Sequence, residues 1–132
     1  MSIADENAEV VRRGYQAFNA GDIKTLTALC HEEASWYTPG RSPMAGERQG
    51  RETVLAHFGR YAAETAGTFR ANLKDILRSD NGRVVGIHHN SAERNGKRLD
   101  VDCCIVFEVA DGRIIEGREH FYDLNAWDEF WS

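Results

Sequence analysis

Three turn dipeptides, Asn81-Gly82, Asn95-Gly96 and Asp111-Gly112, punctuate the second half of the chain. They constrain its fold more than any other feature. A two-residue hairpin needs backbone angles that a Cβ opposes, and Gly, Asn and Asp tolerate them best. Strand-length runs flank the turns, over 68–78, 83–94, 97–109 and 113–123. Successive hairpins of this kind predict an antiparallel meander.

The first half has a different period. Val10, Val11, Tyr15, Ala17 and Phe18 recur at helical spacing over 3–20, and Gly21 ends the run. Asp22 caps a second helix, 23–30, with Ile23, Leu26, Leu29 and Cys30 as its buried face. A short strand over 34–38 stops at Pro39-Gly40. A loop containing Pro43, Gly46 and Gly50 follows. A third helix over 52–66 carries Val54, Leu55, Phe58 and Tyr61 on one side. The run 124–131 closes as a short helix with Trp127, Phe130 and Trp131 over the core. Helices segregated from strands predict an α+β fold, a curved antiparallel sheet packed over N-terminal helices into a cone. The 132 residues suit one domain, 1–132.

Charge narrows the partners. With 16 basic and 21 acidic residues the net charge is −5, which argues against nucleic acid. No stretch approaches the roughly 20 apolar residues of a membrane span. The polar, acidic start lacks the pattern of a secretion signal, so a cytoplasmic location is expected. Cys30, Cys103 and Cys104 form neither a disulfide framework nor a zinc pattern. The five histidines show no ligand spacing, and no Gly-rich phosphate loop is present, so neither metal nor cofactor is expected.

The run Tyr15-Gln-Ala-Phe-Asn-Ala-Gly-Asp22 before a helix resembles the opening of SnoaL-like proteins, in the nuclear-transport-factor-2-like superfamily. So do Glu33-Ala-Ser-Trp36, Gly50-Arg-Glu-Thr-Val54, Asp111-Gly-Arg-Ile-Ile115 and Arg118-Glu-His-Phe-Tyr-Asp123. The resemblance covers nearly the whole chain. It implies the cystatin-like cone, a pocket for a small hydrophobic molecule, and homodimers formed through the outer sheet face. Its members include polyketide cyclases, ketosteroid isomerase, limonene-epoxide hydrolase and binding modules, so the fold alone does not choose a chemistry.

Alternation along the third sheet strand puts Val101, Cys103, Ile105, Phe107 and Val109 on one apolar face, the expected pocket side. Gly117, Glu119 and Phe121 share a face of the last strand. The resemblance places the catalytic acid of hydrolase and cyclase members at Glu119. A carboxyl inside an apolar cone would have a raised pKa; a rim carboxylate paired with an Arg is the other reading. His88 enters the cone, either as a proton-transfer partner of Glu119 or as a satisfied core histidine. Trp36 and Thr38 fall where relatives keep polar site residues. Thr38 stands where the isomerase has its Asp base and Gly14 where it has its Tyr, which speaks against steroid isomerisation. The hydrolase's Asp-Arg-Asp set is likewise broken. Tyr15, Phe58, Phe107 and Phe121 are expected to line the cavity with Trp36 and Cys103. Arg41, Met44 and Arg48 belong to the loop by the mouth.

Two functions follow. One is a cofactor-independent isomerase, cyclase or dehydratase acting on a hydrophobic carbonyl compound. The other is a non-catalytic hydrophobic-ligand-binding or dimerisation module. Convergence of Glu119 and His88 within about 4 Å in a cavity of several hundred Å³ would favour the first, and a Glu119 facing solvent would exclude it.

Overall fold

The computed structural model describes residues 2–132, so Met1 of the single-domain reading lies outside the described residues. The elements run α1 (Ile3–Ala20), α2 (Ile23–Leu29), β1 (Cys30–Thr38), β2 (Gly46–Gln49), α3 (Arg51–Ala63), β3 (Arg70–Arg78), β4 (Val84–Arg94), β5 (Lys97–Ala110), β6 (Arg113–Phe121) and α4 (Leu124–Trp131). The helix boundaries have local causes. Ser2 and Asp5 form a capping box on α1, and Gly21 ends it in the left-handed region. Asp22 accepts from Thr25 N, and Asp123 from Ala126 N, to start α2 and α4.

The six strands form one sheet in the order β2-β1-β6-β5-β4-β3. β3 to β6 make the expected antiparallel meander. Asn95, Gly96, Asp111 and Gly112 all hold positive φ, as tight hairpins require. The sheet is not wholly antiparallel, however. β1 runs parallel to β6, with Trp36 opposite Gly117. Parallel neighbours need a long crossover, and α3 with the meander supplies it. The polar edge strand β2 pairs with β1 in a stretch read from sequence as loop. Cys30 begins β1 instead of ending α2, and Ile23 is 59% exposed, not buried.

Register shifts between Leu73 and Asp75 and between Glu108 and Val109 bend the sheet over the helices. Two asparagines fasten α1 beneath it. Asn7 donates to the Gly82 carbonyl, and Asn19 makes reciprocal bonds with the Ala71 backbone. Stacking of Tyr61, Phe69 and Trp131, with Trp127 edge-on to Tyr61, closes the space under α4. Met44 is fully buried, so the loop residue expected at the mouth is a core residue. Arg48 donates to the Met44 and Ala45 carbonyls.

Two strand glycines are required by packing. A Cβ on Gly117 would overlap the Trp36 ring, and one on Gly86 would lie 2.6 Å from the Tyr15 hydroxyl. Gly117→Ala and Gly86→Ala are expected to destabilise by about 1–3 kcal/mol through overpacking. Gly59, on α3, has nothing within 4 Å of its would-be Cβ. Gly59→Ala should therefore stabilise by about 0.5–1 kcal/mol. Urea unfolding of the three variants measures both signs.

Candidate active site

The sheet's inner face and the helices enclose a cavity of about 70 Å³, walled by Val11, Tyr15 and Phe18 of α1, Val54, Phe58 and Tyr61 of α3, and Trp36, His88, Ile105, Phe107 and Glu119 of the strands. At roughly 10–15 Å³ for one water, that is room for a compact occupant. It is smaller than the several hundred Å³ expected. The reason is that the aromatic side chains fill most of the cone. Trp36 packs edge-on against Phe58 at 4.8 Å, and Phe18 against both Phe58 and Phe69 at 5.8 Å. Phe18, Leu26, Phe58 and Phe69 also border an outer groove of about 260 Å³ between the α1–α2 corner and α3. Only these side chains separate groove from cavity.

Glu119 is 3% exposed. The Trp36 indole lies across β6 at Gly117 and donates Nε1–H to Glu119 Oε1 at 2.9 Å. Thr38 donates to the same oxygen at 2.6 Å, and the Tyr61 hydroxyl at 3.0 Å. Oε2 accepts nothing from the described residues, yet it is not among the fully covered unpaired atoms. It is therefore the oxygen open to the cavity. Burial raises the Glu119 pKa, against the opposing pull of Thr38, Trp36, Tyr61 and Arg48. The rim alternative, a carboxylate paired to Arg at the mouth, does not describe this geometry.

A second polar cluster stands elsewhere on the wall. The Tyr15 ring packs over Gly86, and its hydroxyl lies 2.8 Å from His88 Nδ1; His88 Nε2 lies 2.9 Å from Asn90 Oδ1. Because Asn90 Oδ1 accepts, His88 carries its proton on Nε2, and Nδ1 accepts from Tyr15. Burial lowers the His88 pKa to about 4, so the ring is neutral at pH 7. Burial keeps Tyr15 protonated, its pKa well above the usual phenol value. His88 and Glu119 thus line one cavity but share no hydrogen bond, each being held by different partners. Of the two readings of His88, the satisfied core histidine describes this geometry and the direct pair with Glu119 does not. Ile105 stands opposite both Glu119 and Gly86, so a strand separates the two clusters.

Of the other predicted site residues, Trp36, Tyr15, Phe58 and Phe107 line the cavity, and three do not. Thr38 is fully covered, with its hydroxyl committed to Glu119. Cys103 is a short side chain flanked across the strands by His88 and Phe121, and it is fully buried. Phe121 stacks on Trp127 at 3.9 Å, because the chain turns into α4 there and covers that end. The sequence reading missed Tyr61 and His57 as site residues. His57 follows Val54 by three positions and precedes Tyr61 by four, the spacing of one buried helix face, which is the signal that marks it. Among the described residues, no group of three or more His, Cys, Asp or Glu could hold a metal. No helix is long and apolar enough to cross a membrane.

Residues 11–117 match the family model described as a SnoaL-like domain. The chain belongs to the SnoaL-like family. It is 34% identical over 128 residues to the Mycobacterium tuberculosis protein Rv0034, covering 97% of this chain and 98% of the relative. It is 66% identical to Bal32a, from a soil-derived mobile gene cassette, with a TM-score of 0.98 over 99% of this chain and 100% of that one. A putative polyketide cyclase from Xanthomonas campestris shares the fold at 23% identity, with a TM-score of 0.75 over 99% and 100% of the two chains.

The site leaves a mark on stability. The folded protein holds the Glu119 proton more tightly than the unfolded chain, because burial raises this pKa. That contribution is fully present below the ordinary carboxylate range and is lost as pH rises through the raised value. Glu119→Gln keeps the acceptor oxygen and cannot ionise. The variant is expected to be more stable than wild type at about pH 8, with the gap closing toward about pH 4. Buried His88, near 4, and His57, near 3, have the opposite sign. Their contribution is lost in both proteins as pH falls below 6.5, so the difference between the two urea curves isolates Glu119.

Proposed function

We propose that this SnoaL-like protein is a cofactor-independent catalyst that moves a proton on a compact, mostly apolar carbonyl compound, with Glu119 as the transferring group. Isomerisation, cyclisation and dehydration share that step. The carrying observation is the asymmetry of the carboxyl. Three donors occupy Oε1, and Oε2 is left to the cavity.

As a carboxylate, Oε2 takes a proton from the carbon next to a carbonyl. The C–H electron pair moves into the carbon framework and charge develops on the carbonyl oxygen. The protonated acid then returns the proton at another atom. The raised pKa, caused by burial, makes the carboxylate a stronger base than an exposed Glu. Rotated away from His88 Nδ1, to which it donates in this structure, the Tyr15 O–H becomes the donor to that oxygen. His88 positions Tyr15, and Trp36, Phe58 and Phe107 exclude water from the reacting atoms.

A second reading, a non-catalytic binder of a hydrophobic ligand, draws support from the small cavity and from the lack of contact between His88 and Glu119. A panel of small ketones and polyketide-like esters separates the two. Wild type is expected to turn over a member of the panel, and Glu119→Gln to lose about 10²–10⁴-fold in kcat. Binding of an unreactive analogue should change only a few-fold. Equal turnover by both proteins removes Glu119 from the mechanism, and binding without turnover favours the binder.

We also propose that a second copy of this chain covers the outer sheet face. Val85, Ile87, Cys104 and Val106 are half-buried there, beside exposed His120 and Tyr122. Sedimentation should give a dimer that His120→Asp/Tyr122→Asp dissociates. A wild-type monomer at every concentration refutes it.

A further inference from the structure

Beside Glu119 lies a buried histidine that the proposed proton transfer does not use. His57, on α3, is 3% exposed, and its Nε2 lies 3.1 Å from Thr38 Oγ1. Thr38 has one hydroxyl proton, and its 2.6 Å contact with Glu119 Oε1 takes it. The Thr38 oxygen must then accept from His57, which therefore holds its proton on Nε2. The rest of the ring agrees: Nδ1 is fully covered and has no partner among the described residues. A bare lone pair is the form of imidazole nitrogen that can be left so, whereas protonating it would leave a buried N–H unpaired.

We infer that His57 is a positioning residue for Glu119: its Nε2–H orients the Thr38 hydroxyl toward Oε1, keeps that oxygen an acceptor only, and so directs the exchangeable proton to Oε2, on the cavity side. This rests on Glu119 being the proton-transfer group. Without His57, Thr38 can turn its proton to the Tyr61 hydroxyl 3.4 Å away, and Oε1 loses its shortest hydrogen bond. The carboxylate then has fewer donors, and its proton is no longer confined to one oxygen.

The groups acting on Glu119 come from every element around it, and above about pH 5.5, where His88 of β4 is neutral, none but Glu119 changes charge. Tyr61 of α3 and Tyr15 of α1 stay protonated, both held well above the usual phenol value by burial. Burial also pushes the Cys103 thiol of β5 up. Arg48 of β2 stays charged. Burial, with Arg48 and Arg60 assisting, brings His57 down to about 3, so it is neutral. A titration felt at the Trp36 indole N–H, which donates to Oε1, is therefore that of Glu119. Trp127 and Trp131 have no acceptor for their indole N–H among the described residues, so their resonances serve as internal controls.

The test is the pH dependence of the Trp36 indole resonance in ¹⁵N-labelled protein, from about pH 5.5 to about pH 9. His57→Gln keeps a donor near the Nε2 position, and His57→Leu removes it. His57→Leu is expected to raise the Glu119 midpoint by about half a unit to one unit, from the loss of a donor to the charged form. His57→Gln should titrate as wild type does. If His57→Leu does not fold, His57→Met, which also lacks a donor, reads the same link: its midpoint should rise in the same way. A midpoint blind to His57→Leu, or one moved equally by His57→Gln, overturns the role of His57 and leaves Glu119 in place. A Trp36 resonance that is flat across the range overturns Glu119 as the proton carrier, and His57 with it.

Discussion

A carboxyl group withdrawn from water is among the costliest things a small interior can hold, and here its solvation is replaced by three donors on one oxygen. Much of the architecture serves that replacement. Trp36 and Thr38 reach Glu119 because β1 lies beside β6, a parallel pairing that joins residues far apart in the chain. Tyr61 reaches it because α3 crosses the same end of the cone. Even so, burial outweighs the donors and Glu119 remains raised. An apolar residue of similar volume would avoid that cost, so an acid kept at this position is a sign of chemistry.

The two polar clusters are built by one device. On β4, Gly86 precedes His88 by two positions on the same face; on β6, Gly117 precedes Glu119 in the same way. In each case an aromatic ring from a neighbouring element lies over the missing side chain. Tyr15 does so at Gly86 and Trp36 at Gly117, and each bonds the polar group one residue pair further along. The glycine is what brings the ring low enough to reach. Gly117 thus leaves room for Trp36 to supply its indole N–H from the next strand.

What the sequence reveals is what depends on neighbours in the chain. The hairpin dipeptides specify β3 to β6 because turn geometry is set by the residues in the turn. Alternation puts Glu119 and His88 on the inner face, since the side-chain period of a strand is two. What stays hidden is set by partners distant in sequence. β2 is four residues at the sheet edge, ordered by pairing to β1 and without any apolar alternation of its own. Alternation gives the face on which Thr38, Cys103 and Phe121 lie but not their depth. All three point inward and yet lie outside the cavity wall, under neighbours that only the closed cone supplies. Likewise the face of a histidine does not name its partners, and the direct link between His88 and Glu119 fails for that reason.

The separation of the clusters has a chemical consequence. Glu119 and Gly86 flank Ile105, two strand spacings apart, or about 10 Å between backbones. Tyr15 bridges much of that span from above, since its hydroxyl reaches His88. A molecule in the cavity therefore meets an oxygen acceptor at Glu119 and, on another part of its surface, the Tyr15 phenol, whose O–H is held by His88 Nδ1 until it rotates. Neutral His88 adds no positive charge to the wall, and no Lys or Arg lines it among the described residues, so an anionic group finds no counter-ion there. Neutral molecules that place an acidic C–H or O–H toward one cluster and a carbonyl oxygen toward the other complement this wall. In them a proton can leave at one end while charge gathers at the other, which is the arrangement enolisation needs.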